Sequence, residues 1–213
     1  MKRTTYDAGP EYNGHPLYRP LPEHLDKTVD GFDLATLRRI ELLIPHALAQ
    51  GGGKILAVGM TLAYPVGIDT TFIPNDVITD FTNRYSRRLR EHFWLSADFL
   101  QVRERAPRTG RLHHHCFYLI GGGWWHFVDY QAVRGCWRMA LEHWFGWTGT
   151  AAEVPVQIVD NWNGDGSPAY GFRVDASRPE QVAELYRRMT YLAKYYSRDL
   201  TPGVRSFTSS ELR

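Results

Sequence analysis

The stretch VRERAPRTGRLHHHCFYLI, residues 102–120, joins a charged run, a turn rich in Pro and Gly, and three histidines that lead into apolar residues. With DFLQ ahead of it (98–101), it reads as strand, turn and strand. A strand sends successive side chains to opposite faces, so His113 and His115 share one face while His114 and Cys116 take the other. Two imidazoles on one face make a natural clamp for a metal ion. A cluster of hydrogen-bonded histidines is the plainer reading. An expression tag fits poorly, because the run is internal, short and continues into an apolar strand. If Glu104 pairs across from His113, then Val102 faces His115, and all four side chains lie on one face. Glu104, His113 and His115 then offer a divalent ion one carboxylate and two imidazoles, leaving positions open for a phosphate. A one-residue slip would expose His114 and Cys116 instead, a pair with no third ligand.

Outward from this hairpin, the pattern alternates between strands and helices. DLATLRRIELLIPHALAQGGG predicts a helix capped by Asp33 and closed by glycines, and KILAVGMTLAYP predicts a buried strand stopped at Pro65. NDVITDFTNRYSRRLREHF and YQAVRGCWRMALEHWFGW read as amphipathic helices, the first loaded with arginines that include Arg87 and Arg88. EVPVQIVDNW and PAYGFRV flank NGDG, a strong hairpin signal. Residues 1–33 carry Pro, Gly, Tyr and charge without a period and read as an extended arm, with residues 34–213 as the folded domain. The expected class is α+β, with a central antiparallel sheet of about five strands and packed helices.

SRPEQVAELYRRMTYLAKYYSRDL predicts a last helix with Pro179 in its first turn. On a helical wheel Val182, Leu185, Met189, Leu192, Ala193 and Tyr196 form the apolar face. Arg187, Arg188, Tyr191, Lys194 and Tyr195 fall opposite. A phenol titrates near pH 10, and neighbouring cations favour the phenolate that can attack a phosphate. An ordinary exposed Tyr/Arg/Lys face is the competing account of the same pattern.

At 213 residues and a formal charge of +2, the chain can build one sizeable core, and total charge alone does not indicate nucleic acid. Only four lysines are present, so the positive charge is nearly all arginine, whose planar fork suits phosphate. Two cysteines, Cys116 and Cys136, do not make a disulfide framework, and Cys136 is expected in the core. No signal peptide and no apolar run of membrane-spanning length is visible, so a cytoplasmic protein with no membrane partner is expected. NWNGDG resembles part of a calcium loop, but Phe172 stands where the closing glutamate belongs. Trp124 and Trp125 are candidates for stacking on bases or for ordinary packing.

Taken together, the pieces resemble the HUH endonucleases, which start rolling-circle replication by nicking DNA. The local pattern is most similar to the replication initiators of filamentous phages (inovirus gene II type) and their prophage relatives. His113 and His115 match the superfamily's clamp, although His114 stands where the middle residue is normally apolar. Tyr191 and Lys194 match its Tyr-x-x-Lys motif, and Glu104 occupies the place of a carboxylate that completes the metal site in several viral members. A clamp that precedes the tyrosine is the order found in replication initiators. The resemblance covers about residues 54–200.

The resemblance implies a Mg²⁺- or Mn²⁺-dependent enzyme of a bacterial host that nicks and rejoins single-stranded or origin-hairpin DNA. Tyr191 would form a covalent 5′-phosphotyrosine, Lys194 would neutralise charge at the phosphate, and Tyr195 is a candidate second nucleophile. Arg87, Arg88, Arg108, Arg111 and Arg187 are candidate phosphate contacts, with host helicase and polymerase as further partners. Two alternatives stay open: a non-catalytic origin-binding protein of the same fold, and a metallohydrolase acting on a small molecule.

Overall fold

The computed structural model describes residues 5–6, 11–18, 31–93, 95–121, 130–158, 161–162, 168–169, 171–194, 198–199, 201–202 and 204–211. Its centre is an antiparallel sheet of six strands: β1 (Lys54–Ala63), β2 (Ser96–Arg105), β3 (Leu112–Gly121), β4 (Val156–Ile158), β5 (Phe172–Asp175) and β6 (Phe207–Ser209). The order is β5-β1-β3-β2-β6, and β4 pairs with the far end of β1. The histidine strand β3 is therefore the middle strand. The sixth strand, β6, comes from C-terminal residues that carry no strand signal of their own; it pairs Phe207 with Val102 along the edge of β2.

Among the described residues, four helices cover the sheet: α1 (Leu34–Gln50), α2 (Asp76–Phe93), α3 (Tyr130–Phe145) and α4 (Pro179–Met189). Strand alternation divides them into two layers. Leu112, Cys116, Tyr118 and Ile120 of β3 pack with Leu62, Phe81, Tyr85 and Trp137 under α2 and α3. On the other face Leu119, Ala57, Leu100 and Val102 pack with Leu37, Ile44, Leu185 and Met189 under α1 and α4. Each fully buried side chain of this size contributes about 1.5–3 kcal/mol, so both layers are needed to hold the sheet. Free Cys116 and Cys136 are both buried in the first layer.

Local chemistry accounts for most element ends. Asp33 caps α1 by accepting the Thr36 backbone N–H at 3.1 Å. Gly52 and Gly53, at φ 64° and 84°, turn the chain from α1 into β1 in a backbone region that disfavours other residues. The paired strands Asn161–Trp162 and Pro168–Ala169 form the expected second hairpin, whose NGDG turn lies outside the described residues. Near the amino terminus, Glu11–Tyr12 pairs with His15–Pro16, and Tyr12 and Leu17 are buried in the α1/α4 layer. No helix among the described residues is long and apolar enough to cross a membrane.

Candidate metal centre

The pairing of β2 with β3 sets Glu104 opposite His113 and Val102 opposite His115, the register expected from the turn. Glu104, His113 and His115 form the one group among the described residues whose side-chain donors converge closely enough for a metal ion. His113 Nε2 and His115 Nε2 lie 3.1 Å apart, and Glu104 Oε2 is 3.4 Å from His115 Nε2 and 3.9 Å from His113 Nε2. Two donors about 2.1 Å from a common ion, set at roughly tetrahedral or octahedral angles, are about 3.0–3.5 Å apart. The His113–His115 and Glu104–His115 separations fall in that range, and the Glu104–His113 pair must close by a few tenths of an ångström or open a wider angle at the ion.

The protonation states suit that role. Burial pushes the His115 imidazole down to about 4 against the pull of Glu104, and burial likewise holds His113 below its ordinary value. Both rings are neutral at pH 7 and offer a lone pair. His113 Nδ1 faces the Arg111 carbonyl at 3.4 Å, which can only accept, so Nδ1 carries the proton and Nε2 is the ligand atom. His115 Nδ1 lies 2.9 Å from the Thr61 hydroxyl, which can donate or accept and therefore leaves either tautomer open. Thr61 pairs with His115 across β1 and β3, a contact that no motif in the sequence signals.

The tyrosine motif lies beside the clamp, but not as the helical wheel predicts. The α-helix ends at Met189, and Thr190–Ala193 form a 3₁₀ turn. After the turn, Lys194 is extended and bridges to Phe32. Lys194 is thus buried at 2% exposure instead of facing solvent. Its Nζ lies 3.2 Å from Glu104 Oε2 and 3.4 Å from the centre of the Tyr191 ring. A carboxylate on one side and a π face on the other make a buried ammonium tolerable. Tyr191 meets the His115 ring edge-to-face at 5.2 Å. Tyr195 and Tyr196 lie outside the described residues, as do Trp124 and Trp125.

His114 is on the opposite face, fully buried, with Nε2 3.1 Å from the Tyr64 hydroxyl. Burial, reinforced by nearby Arg103, pushes it down to about 3, so it is a neutral core residue. The polar middle of the clamp therefore has a structural partner in Tyr64. Beneath the ligands, Arg103 makes a buried ion pair with Asp199 at 2.5 Å. Arg198 bridges to Glu104 through the backbone, so the tail after Lys194 fastens the ligand strand along its edge.

The arginines separate. Arg108 is exposed on the turn next to the cluster. Arg111 donates to the backbone carbonyls of Tyr64 and Pro65, at 2.9 and 2.8 Å, and ties that turn to the end of β1. Arg187, partly exposed on α4, is engaged by Glu184 at 2.6 Å. Arg87 and Arg88 lie on α2, across the sheet from the ligands, so the fold does not bring them together with the metal cluster. No protein-family model matches this sequence, and no curated protein is detectably similar to it.

Proposed function

We propose that this protein is a metal-dependent enzyme of the HUH type that nicks and rejoins single-stranded DNA, initiating rolling-circle replication of a phage or mobile element. The observation that carries the reading is the junction of two sequence motifs: the ring of Tyr191 lies against His115, with the Lys194 ammonium on its face. A bound Mn²⁺ or Mg²⁺ would act as a Lewis acid on the scissile phosphate, and the nitrogen-containing ligand set favours Mn²⁺ of the two. Glu104 on β2, with His113 and His115 on the middle strand β3, would hold that ion. The Lys194 ammonium on its ring would offset negative charge at the phosphate that Tyr191 attacks. The phenol oxygen forms a bond to phosphorus as the bond to the 3′ oxygen breaks, and the phenol's proton ends, by way of solvent, on that 3′ oxygen. The products are a 5′-phosphotyrosine and a 3′-hydroxyl able to prime a polymerase; the reverse attack rejoins the strand. Exposed Arg108, on the turn that joins the two strands of the cluster, would be a contact for a substrate phosphate.

The test is incubation with single-stranded oligonucleotides of candidate origin sequence in Mn²⁺ or Mg²⁺, followed by denaturing electrophoresis and peptide mapping. A DNA adduct on Tyr191 is expected, and Tyr191→Phe should remove it while metal and DNA binding persist. Adduct on Tyr195 or Tyr196 alone would overturn the assignment of Tyr191. The complete absence of adduct, with DNA binding intact, would favour a non-catalytic origin-binding protein.

A further inference from the structure

Tyr191 is carried on a short 3₁₀ turn, an element with poorer hydrogen bonding than an α-helix, and its side chain is only half-buried. For an attacking phenol this matters: a swing of roughly 10° at the ring's base moves its oxygen by about 1 Å, and such a misplacement can cost on the order of 100-fold in rate. Two contacts restrain the ring from within the centre, His115 against it and Lys194 on its face. A third comes from the other end of the chain. Tyr18 meets the Tyr191 ring edge-to-face, with centroids 5.1 Å apart and planes at 85°.

The segment that delivers Tyr18 is firmly seated. Asn13 and Gly14, at φ 50° and 79°, make the tight turn of the hairpin formed by residues 11–16, the Asn-Gly geometry that matches strand twist. His15 stacks flat on Tyr186 of α4, with ring centroids 3.7 Å apart. Asn13 donates to Glu41 of α1 at 2.8 Å, and Tyr12 and Leu17 are buried beneath. Finally, the Tyr18 backbone N–H donates to the Thr190 hydroxyl at 2.7 Å, directly beside Tyr191. The Thr190 hydroxyl in turn donates a hydrogen bond to the Arg187 carbonyl, completing a link from the hairpin to the last turn of α4.

We propose that Tyr18 is a positioning residue for Tyr191: its ring closes the third side of a box that aims the Tyr191 phenol, making the amino-terminal hairpin part of the site. This rests on the reading of Tyr191 as the nucleophile. The two rings meet edge-to-face, and burial raises the Tyr18 phenol above its ordinary value despite nearby Arg187, so Tyr18 remains a protonated wall. Edge-to-face pairs of this kind are energetically modest, and the expected effect is on orientation more than on stability.

Full-length protein carrying Tyr18→Ala, Tyr18→Leu or Tyr18→Phe tests this with two readouts. The first is the single-turnover rate of DNA adduct formation in Mn²⁺ at saturating oligonucleotide, measured beside Mn²⁺ and oligonucleotide affinity. Tyr18→Ala should slow the rate by tenfold or more with both affinities within about twofold of wild type, and Tyr18→Phe should restore it. Tyr18→Leu fills the space without an aromatic edge and should be slowed if the ring is what counts. The second readout needs no activity: tetranitromethane nitration of Tyr191, followed by peptide mass spectrometry, should rise in Tyr18→Ala and return to wild type in Tyr18→Phe. Absence of adduct in wild-type protein, with the nitration contrast present, would remove the nicking function and leave the contact. Wild-type rate and nitration in both Tyr18→Ala and Tyr18→Leu would overturn the proposal. A parallel loss of metal affinity, DNA affinity and rate in both would also overturn it, by making Tyr18 merely structural.

Discussion

Replacing Lys194 with methionine keeps most of the side-chain volume and removes one charge from a buried pair. Its Nζ stands 3.2 Å from Glu104 Oε2, and both side chains are 2% exposed. At that distance and an effective dielectric of 20, the attraction is about 5 kcal/mol, an upper figure because both groups were desolvated to make it. Removing one partner of such a pair typically costs about 3–5 kcal/mol, because the other charge is left buried without compensation. Chelator-treated Lys194→Met should therefore be less stable than wild type by about that amount in urea or guanidinium unfolding. A divalent ion delivers positive charge to the same carboxylate, so Mn²⁺ should recover most of the loss. The variant should also bind Mn²⁺ at least tenfold more tightly by titration calorimetry, since the ion no longer displaces an ammonium. DNA adduct formation should nevertheless fall, because Lys194 also faces the Tyr191 ring. The double variant Glu104→Gln/Lys194→Met should be more stable than the sum of the single losses predicts. Wild-type stability in chelator together with unchanged Mn²⁺ affinity would refute the reasoning.

Thr61→Val removes the hydroxyl that steadies His115 and should weaken Mn²⁺ binding by about 10–100-fold with little change in fold, as read by calorimetry and circular dichroism. Because burial holds both clamp imidazoles below the ordinary histidine value, Mn²⁺ affinity should change little from pH 8 to 6.5 and fall at lower pH, with His115 taking up its proton only near pH 4. An inflection at pH 6.5 would mean that the rings are not buried as described. His114 is held neutral in the fold down to about 3, while its unfolded counterpart binds a proton below about 6.5, so its stabilisation is complete above pH 6.5 and erodes as pH falls. Unfolding free energy should decline by about 1.4 kcal/mol per pH unit from this group alone, and His114→Gln should reduce that slope. Asp199→Asn, which strips the partner from buried Arg103, should cost about 3–5 kcal/mol by denaturant unfolding.

The convergence of Glu104, His113 and His115 was legible in the sequence because its determinants are local. Strand alternation puts His113 and His115 on one face, and a short turn brings Glu104 back across from His113. The same locality made α1, its Asp33 cap and the helices at Asp76 and Tyr130 readable. The Asn13-Gly14 turn was a local signal too, but it sat in a segment with too little apolar alternation to read as strands.

What the linear chain leaves open is everything that depends on where a segment meets residues far away. A helical wheel assumes that the helix continues; it ends at Met189, and the following turn carries Lys194 inward to Glu104, ninety positions earlier. Tertiary contact alone gives His114 its partner in Tyr64 and Arg103 its partner in Asp199. It also sets Tyr18 against Tyr191 and places Arg87 and Arg88 across the sheet from the ligands. Periodicity determines which face a side chain takes, since that follows from backbone geometry over a few residues. Whether that face meets solvent, a carboxylate or another ring is decided by the energy of burying groups whose partners only the folded chain supplies.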